Sequence, residues 1–285
     1  MATRDKLDDS PITSDGDGFL DAREFYSAYL KSAELAKKIP KTELSRDDDF
    51  AFYRFVMEVH SSKSDNPALF RQRPDASEAV TRLWLSRVRE KARLLAAFNR
   101  MPRFLGLTTQ WLADFAKKSL DVNNIVKLES ILREVGIVLV YEPSIAGLKL
   151  DGAAFQLGED KPVVALSLRY SRLDNFWFTL MHELAHIAIH RDVLATPILD
   201  DLETTSSDLR ELQADRLASD SLIPRHAWRS CQAKYTQSPE DVAKFAAELG
   251  VHPAIVAGRL RRELDRHDLF ADFINAADVR EILLK

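Results

Sequence analysis

His182-Glu183-Leu184-Ala185-His186 sets two imidazoles four residues apart, with a carboxylate beside the first. On a helix, positions four apart share one face, so both rings can reach a single Zn2+ ion. Glu183 stands one step round, where it can face the open coordination position and take a proton from water. This is the residue set of metal-assisted hydrolysis. The surrounding stretch FTLMHELAHIAIH, residues 178–190, is apolar on every side, so its helix belongs inside a core rather than along a surface stripe. Ionisable groups left there without partners cost several kcal/mol. A dry apolar helix offers few acceptors for two rings, which makes a metal ion the economical partner.

A catalytic zinc site needs a third protein ligand and a vacancy. The extended pattern H-E-x-x-H-x-x-G-x-x-H is ruled out, because its glycine position is Ile189 and its third histidine position is Asp192. His190 follows His186 by four, but drift around the helix carries it off the metal face, toward a supporting or surface role. Glu211 is the better candidate. With Ala214 and Ala218 it falls at i, i+3 and i+7, so small residues lie below the carboxylate and would let two helices approach closely. Spacing alone leaves Glu211 open between ligand and solvated charge. Asp215, one turn on, can accept the second N–H of a ligand histidine, or pair with an arginine such as Arg216. A stabiliser for the tetrahedral intermediate is also required. Tyr170, His190, His252 and Arg259 are candidates that spacing does not rank.

These residues need elements to hold them. From Glu24 to about Met101 the apolar spacing is helical, in AREFYSAYLKSAELAKKI, DDFAFYRFVMEVH and ASEAVTRLWLSRVREKARLLAAF, with a linker in SSKSDNPALFRQRP. TTQWLADFAKKS and NNIVKLESILREV read as two shorter helices, the second closed by Gly136. GIVLVYEP, DGAAFQLG and KPVVALSL are apolar runs of strand length, and the pair joined by GEDKP reads as a hairpin. A free edge of this sheet near residues 150–168 is a natural place for a substrate strand to add. Helical spacing returns after Arg169 in NFWFTLMHELAHIAIH and SSDLRELQADRLASDSLI and persists through two or three further helices to the C-terminus. The expected class is α+β: predominantly helical, with a small antiparallel sheet next to the HELAH helix. The expected organisation is a flexible segment over 1–20, a helical region over 21–135, and a metal-site domain with C-terminal helices over 136–285.

HELAH, followed by E-x-x-A-D-x-x-A-x(5)-P from Glu211 to Pro224, resembles the ImmA/IrrE family of zinc metallopeptidases. LDGAAFQLGEDKPVVALSLRYSRLDNFWFTLMHELAHI and VHPAIVAGRLRRE are similar to the version fused to HigA-type antitoxin regulators, and the likeness runs from about Leu83 to the end. The resemblance implies a gluzincin-like zincin site, with His182, His186 and Glu211 as zinc ligands and Glu183 as general base. It further implies an endopeptidase that cuts a partner protein, a helix-turn-helix repressor or an antitoxin, under stress or during mobile-element excision. The chain departs from its fused relatives in one respect: residues 1–80 show no helix-turn-helix.

The rest of the chain bounds the alternatives. An apolar share of 46%, a charged share of 29% and a net charge of −4 are those of a soluble globular protein, with no global attraction to nucleic acid or anionic membrane. No apolar run approaches the roughly 18 residues of a membrane span. The start has no signal region, and the single cysteine, Cys231, allows no internal disulfide; a cytoplasmic protein is expected. TSDGDGFLDARE places Asp15, Asp17, Gly18, Leu20 and Glu24 on positions of a calcium loop, but Thr13 holds the first position and Pro11 blocks an entering helix. Calcium binding is not expected, and Asp21 to Glu24 reads as a helix start. VAKFAAELGVHPAIVAGRLRR has helix-turn-helix spacing around Gly250, yet its second helix offers few base-reading side chains. Packing against the core is therefore favoured over DNA binding through 240–262. The competing functional class is a non-catalytic antitoxin or transcriptional regulator whose metal site is structural.

Overall fold

A computed structural model describes residues 21–44, 48–61, 75–98, 101–158, 160–200 and 208–284. The segment expected to be flexible over 1–20, most of the calcium-type loop and the linker over 62–74 lie outside the described residues. At the start of what is described, Asp21 caps the first helix, accepting the Arg23 backbone N–H at 3.2 Å, and Glu24 sits in the first turn, as a helix start requires.

The elements follow the α+β order expected. Three helices come first: α1 (Ala22–Ala36), α2 (Asp49–Ser61) and α3 (Asp75–Phe98). Then come α4 (Thr109–Ala116), two 3-10 turns and α5 (Leu128–Glu134), followed by β1 (Val138–Tyr141), β2 (Gly152–Leu157) and β3 (Lys161–Leu166). The HELAH helix is α6 (Leu173–Ile189). After it come β4 (Ile198–Asp200), α7 (Leu209–Leu222), α8 (Arg225–Arg229), α9 (Ala233–Thr236), α10 (Pro239–Leu249), α11 (Pro253–Leu264), α12 (Ala271–Ile274) and α13 (Val279–Leu283).

The sheet has the order β1-β3-β2-β4. β2 and β3 form the expected antiparallel hairpin, with Phe155 opposite Val163. β1, however, runs parallel to β3, with Val138 opposite Val163, so the sheet is mixed rather than purely antiparallel. A parallel pair needs a crossover. Here the loop after β1 and strand β2 together supply it, a pairing over distance that no local pattern encodes. β4 was also missed: three residues are too few to show an alternation. It pairs antiparallel with β2, so β2 and β3 are both inner strands. The free edge expected near 150–168 is therefore covered, and the edge strands are β1 and β4.

Side-chain alternation along the strands splits the sheet between two cores. Leu139, Ala154 and Val164 pack with α6 on one face. Val138, Val140, Ala153, Phe155, Val163 and Ala165 pack with the N-terminal helices on the other, around fully buried Trp84 of α3. Strands buried on both faces read as continuous apolar runs, which is why GIVLVYEP and KPVVALSL show no polar side. α6 is buried from Leu173 through Ile187 on all its faces except at half-buried Asn175, as its composition demands.

Candidate metal centre

α6 and α7 pack along their lengths, and the reason is written in α7. Ala214 and Ala218 are fully buried where the helices meet, so no side chain holds the backbones apart. That close approach carries Glu211, in the first turn of α7, to the two α6 histidines. His182 Nε2 lies 2.9 Å from His186 Nε2 and 3.2 Å from Glu211 Oε2, and His186 Nε2 lies 3.4 Å from the same oxygen.

The outer nitrogens are also held. His182 Nδ1 lies 3.0 Å from Asp215 Oδ1, and a carboxylate there takes the ring's Nδ1–H. His186 Nδ1 lies 3.0 Å from His190 Nδ1, and His190 Nε2 lies 3.0 Å from Gln213 Oε1. With the Gln213 carbonyl accepting, His190 donates from Nε2 and presents a lone pair at Nδ1, which takes the proton of His186 Nδ1. Both ligand-candidate rings are thereby set to point an Nε2 lone pair inward. Burial pushes His186 below its ordinary value, in favour of the neutral ring. Burial opposes the charge on Glu211, but without a metal the two rings can instead carry a proton at Nε2 and donate it to the carboxylate. Those hydrogen bonds and the accompanying charge outweigh burial and hold the carboxyl down at about 2.

Two imidazole lone pairs and a carboxylate oxygen thus converge in a site where both rings are almost wholly buried. Such an arrangement repels itself unless a cation stands among the three. Tetrahedral zinc with bonds of about 2.0–2.1 Å spaces its donors about 3.3–3.4 Å apart. The two distances to Glu211, 3.2 and 3.4 Å, are close to that spacing, and the 2.9 Å between the two Nε2 atoms is a few tenths of an ångström shorter, so the rings would spread slightly around an ion. The donor set fits zinc in its chemistry.

Glu183 is fully buried and lies against β2: a Cβ placed on Gly152 would come 2.2 Å from Glu183 Oε1. Only a glycine lets the strand pass this close to the carboxylate. Gly152 and Gln213 were not singled out in the sequence. Gln213 sits two residues from Glu211 and Asp215 on the same helix, but nothing local marks it as the partner of a histidine.

Among the stabiliser candidates, the structure gathers only His190 at the histidine pair. Tyr170 lies under the Arg169 guanidinium, 5.2 Å from the ring centroid, and lines a cavity beside the first turns of α6. His252 is the N-cap of α11, its Nδ1 accepting the Ala254 N–H at 3.1 Å. Arg259 lies over the Trp228 ring at 4.3 Å and bonds Glu263 and the Ile223 carbonyl. In the helix-turn-helix-like segment, α10 and α11 do form, joined through Gly250 at φ +72°. The apolar face of α11, including Ile255, Val256 and Leu260, is buried against the core with α6.

A small mixed sheet, a buried histidine pair on the helix behind it and a carboxylate from the next helix form a group of residues that could hold a metal ion. Residues 132–261 match the model of a peptidase family described as the IrrE N-terminal-like domain. The matched span runs from α5 into α11 and encloses the whole sheet, α6 and α7. It supports the likeness to ImmA/IrrE proteins and protease activity in general. No curated protein matches the chain.

Proposed function

We propose that the protein is a zinc-dependent endopeptidase of the cytoplasm that cuts a partner protein, a transcriptional repressor or antitoxin, in a stress or mobile-element response. The observation that carries this reading is the convergence of His182, His186 and Glu211, whose donor atoms lie within 4.8 Å of one another, beside a fully buried Glu183. His182 and His186 would hold the ion through Nε2 and Glu211 through a carboxylate oxygen. When bound, zinc supplies Lewis-acid chemistry, acidifying water and polarising a carbonyl. Glu183 accepts the proton of the attacking water and delivers it to the departing amine, the role of a general base that turns acid. Asp215, and His190 with Gln213 behind it, keep the two rings in the tautomer that points Nε2 inward. β4, the edge strand paired to the Gly152 segment, is the surface along which an extended substrate would add.

The test is Glu183→Gln in the full chain, with zinc measured by elemental analysis and cleavage followed by mass spectrometry after co-expression with neighbouring gene products. The variant should keep its zinc and lose cleavage by roughly 10²–10⁴-fold. Native-rate cleavage by a zinc-loaded Glu183→Gln would falsify the peptidase reading.

A further inference from the structure

A cavity of about 460 Å³ opens between the first turns of α6, the end of α7 and α11, with Phe178, Leu222 and Ile255 in its wall. Phe178 stands one helical turn before His182, with ring centroids 6.3 Å apart, and Ser219, also in the wall, stands one turn beyond Asp215. Its volume lies in the range of sites that bury a small molecule or a side chain.

Four arginines line this space, against two carboxylates. Arg172 is held by Asp174 at 2.7 Å, and Arg259 by Glu263 at 3.1 Å. Arg261 turns away to the Leu269 carbonyl. Arg262 has neither a hydrogen bond nor an ion pair among the described residues. Its guanidinium lies over the Phe178 ring, 4.3 Å from the centroid, in a residue that is exposed as a whole. An aromatic face steadies a guanidinium while leaving its in-plane N–H donors for a carboxylate. The cavity therefore joins an apolar wall to a guanidinium with no hydrogen-bonded partner among the described residues, beside a ring whose centroid is 6.3 Å from that of His182.

We propose, resting on the peptidase reading above, that this cavity is a substrate subsite for a carboxylate-bearing residue, with Arg262 as its specificity-determining cation. A glutamate side chain has the required form: a short apolar stem to lie on Phe178 and a planar anion to meet the guanidinium. A lysine in the same place would meet the like charge of Arg262 and could neither donate to it nor accept from it.

The experiment uses zinc-loaded full-length protein and short peptide hydroxamates with blocked ends, made in both chain directions. The residue next to the hydroxamate is Glu, Gln or Lys, and a fourth probe carries Leu with a free terminal carboxylate. Affinities are read by calorimetry on wild type and Arg262→Met, with zinc content measured on both. Wild type should prefer Glu to Gln by roughly tenfold and Gln to Lys by more, and Arg262→Met, with unchanged zinc, should lose the preference. Preference for the free-carboxylate Leu probe over the Glu probe would keep the subsite but assign it a chain terminus. Equal affinities, or a Glu preference that survives in Arg262→Met, would overturn the subsite and leave the peptidase reading standing. Failure of every hydroxamate to bind zinc-loaded protein would instead sink the peptidase reading, and the subsite with it. Low-salt binding of duplex DNA that Arg262→Met abolishes, without any Glu preference, would reassign Arg262 to phosphate.

Discussion

Asp215 and His190 each occupy the outer nitrogen of a ring whose inner nitrogen points at Glu211. Their proposed contribution is orientation: a histidine free to rotate or to adopt the other tautomer is a poorer metal ligand. Partners of this kind are worth about 10–100-fold in metal affinity. Asp215→Asn should therefore weaken zinc binding by about that factor while the fold survives, since half of the Asp215 side chain is in solvent. Competition against a chromophoric chelator measures it, and an unchanged affinity would remove Asp215 from the site. Glu211 was legible as a candidate because the small residues beneath it shared its helical face. Gln213 was not, because a glutamine between two such carboxylates gains meaning only from the ring it meets across the helix interface.

At the scale of elements, the approach of β2 to α6 fixes Glu183. Gly152→Ala would place a methyl group 2.2 Å from Glu183 Oε1, so either the strand or the carboxylate must shift. The expected result is loss of cleavage with zinc retained, because His182, His186 and Glu211 stand on α6 and α7 rather than on the sheet. Full activity in Gly152→Ala would show that Glu183 has another place to go. Helix α11 supplies a second element-level prediction. Its N-cap His252 accepts the Ala254 N–H, and burial pushes its pKa below the ordinary value. A depressed folded pKa means that the unfolded chain binds the proton more readily. The cap's contribution of about 1 kcal/mol is thus present above the unfolded value of about 6.5 and is lost as pH falls through the folded value. His252→Asn caps without titrating, so melting temperatures of wild type and variant should diverge between pH 7.5 and pH 5, with the wild type falling further. Parallel profiles would count against this role.

For the whole molecule, the sheet lies between two layers, and the candidate metal centre draws its residues from α6 and α7 within one of them. A ligand that binds only the folded state stabilises it by mass action. Removing zinc with a chelator should lower the melting temperature, and returning zinc in excess should restore it with a dependence on its concentration. A melting temperature indifferent to both would mean that no ion bridges the two helices. The N-terminal helices pack on the opposite face of the same sheet through Val140, Phe155 and Trp84. Among the described residues, no helix is long and apolar enough to cross a membrane.

The sequence alone determined what short-range periodicity can carry: the longer helices, though not the four- and five-residue ones among the six that follow α7, the β2–β3 hairpin, the near all-round burial of α6, and two histidines on one face with a carboxylate beside them. Each depends on residues within a turn or two of one another. Tertiary structure decided what depends on distance across the chain. It set the parallel partner of β1 and the short strand β4 that closes the inner edge. It brought Gln213 to His190 and Gly152 to Glu183, and it left Arg262 over Phe178 with no hydrogen-bonded partner among the described residues. Such pairings arise from how layers stack, and no local pattern of residues records which faces will meet.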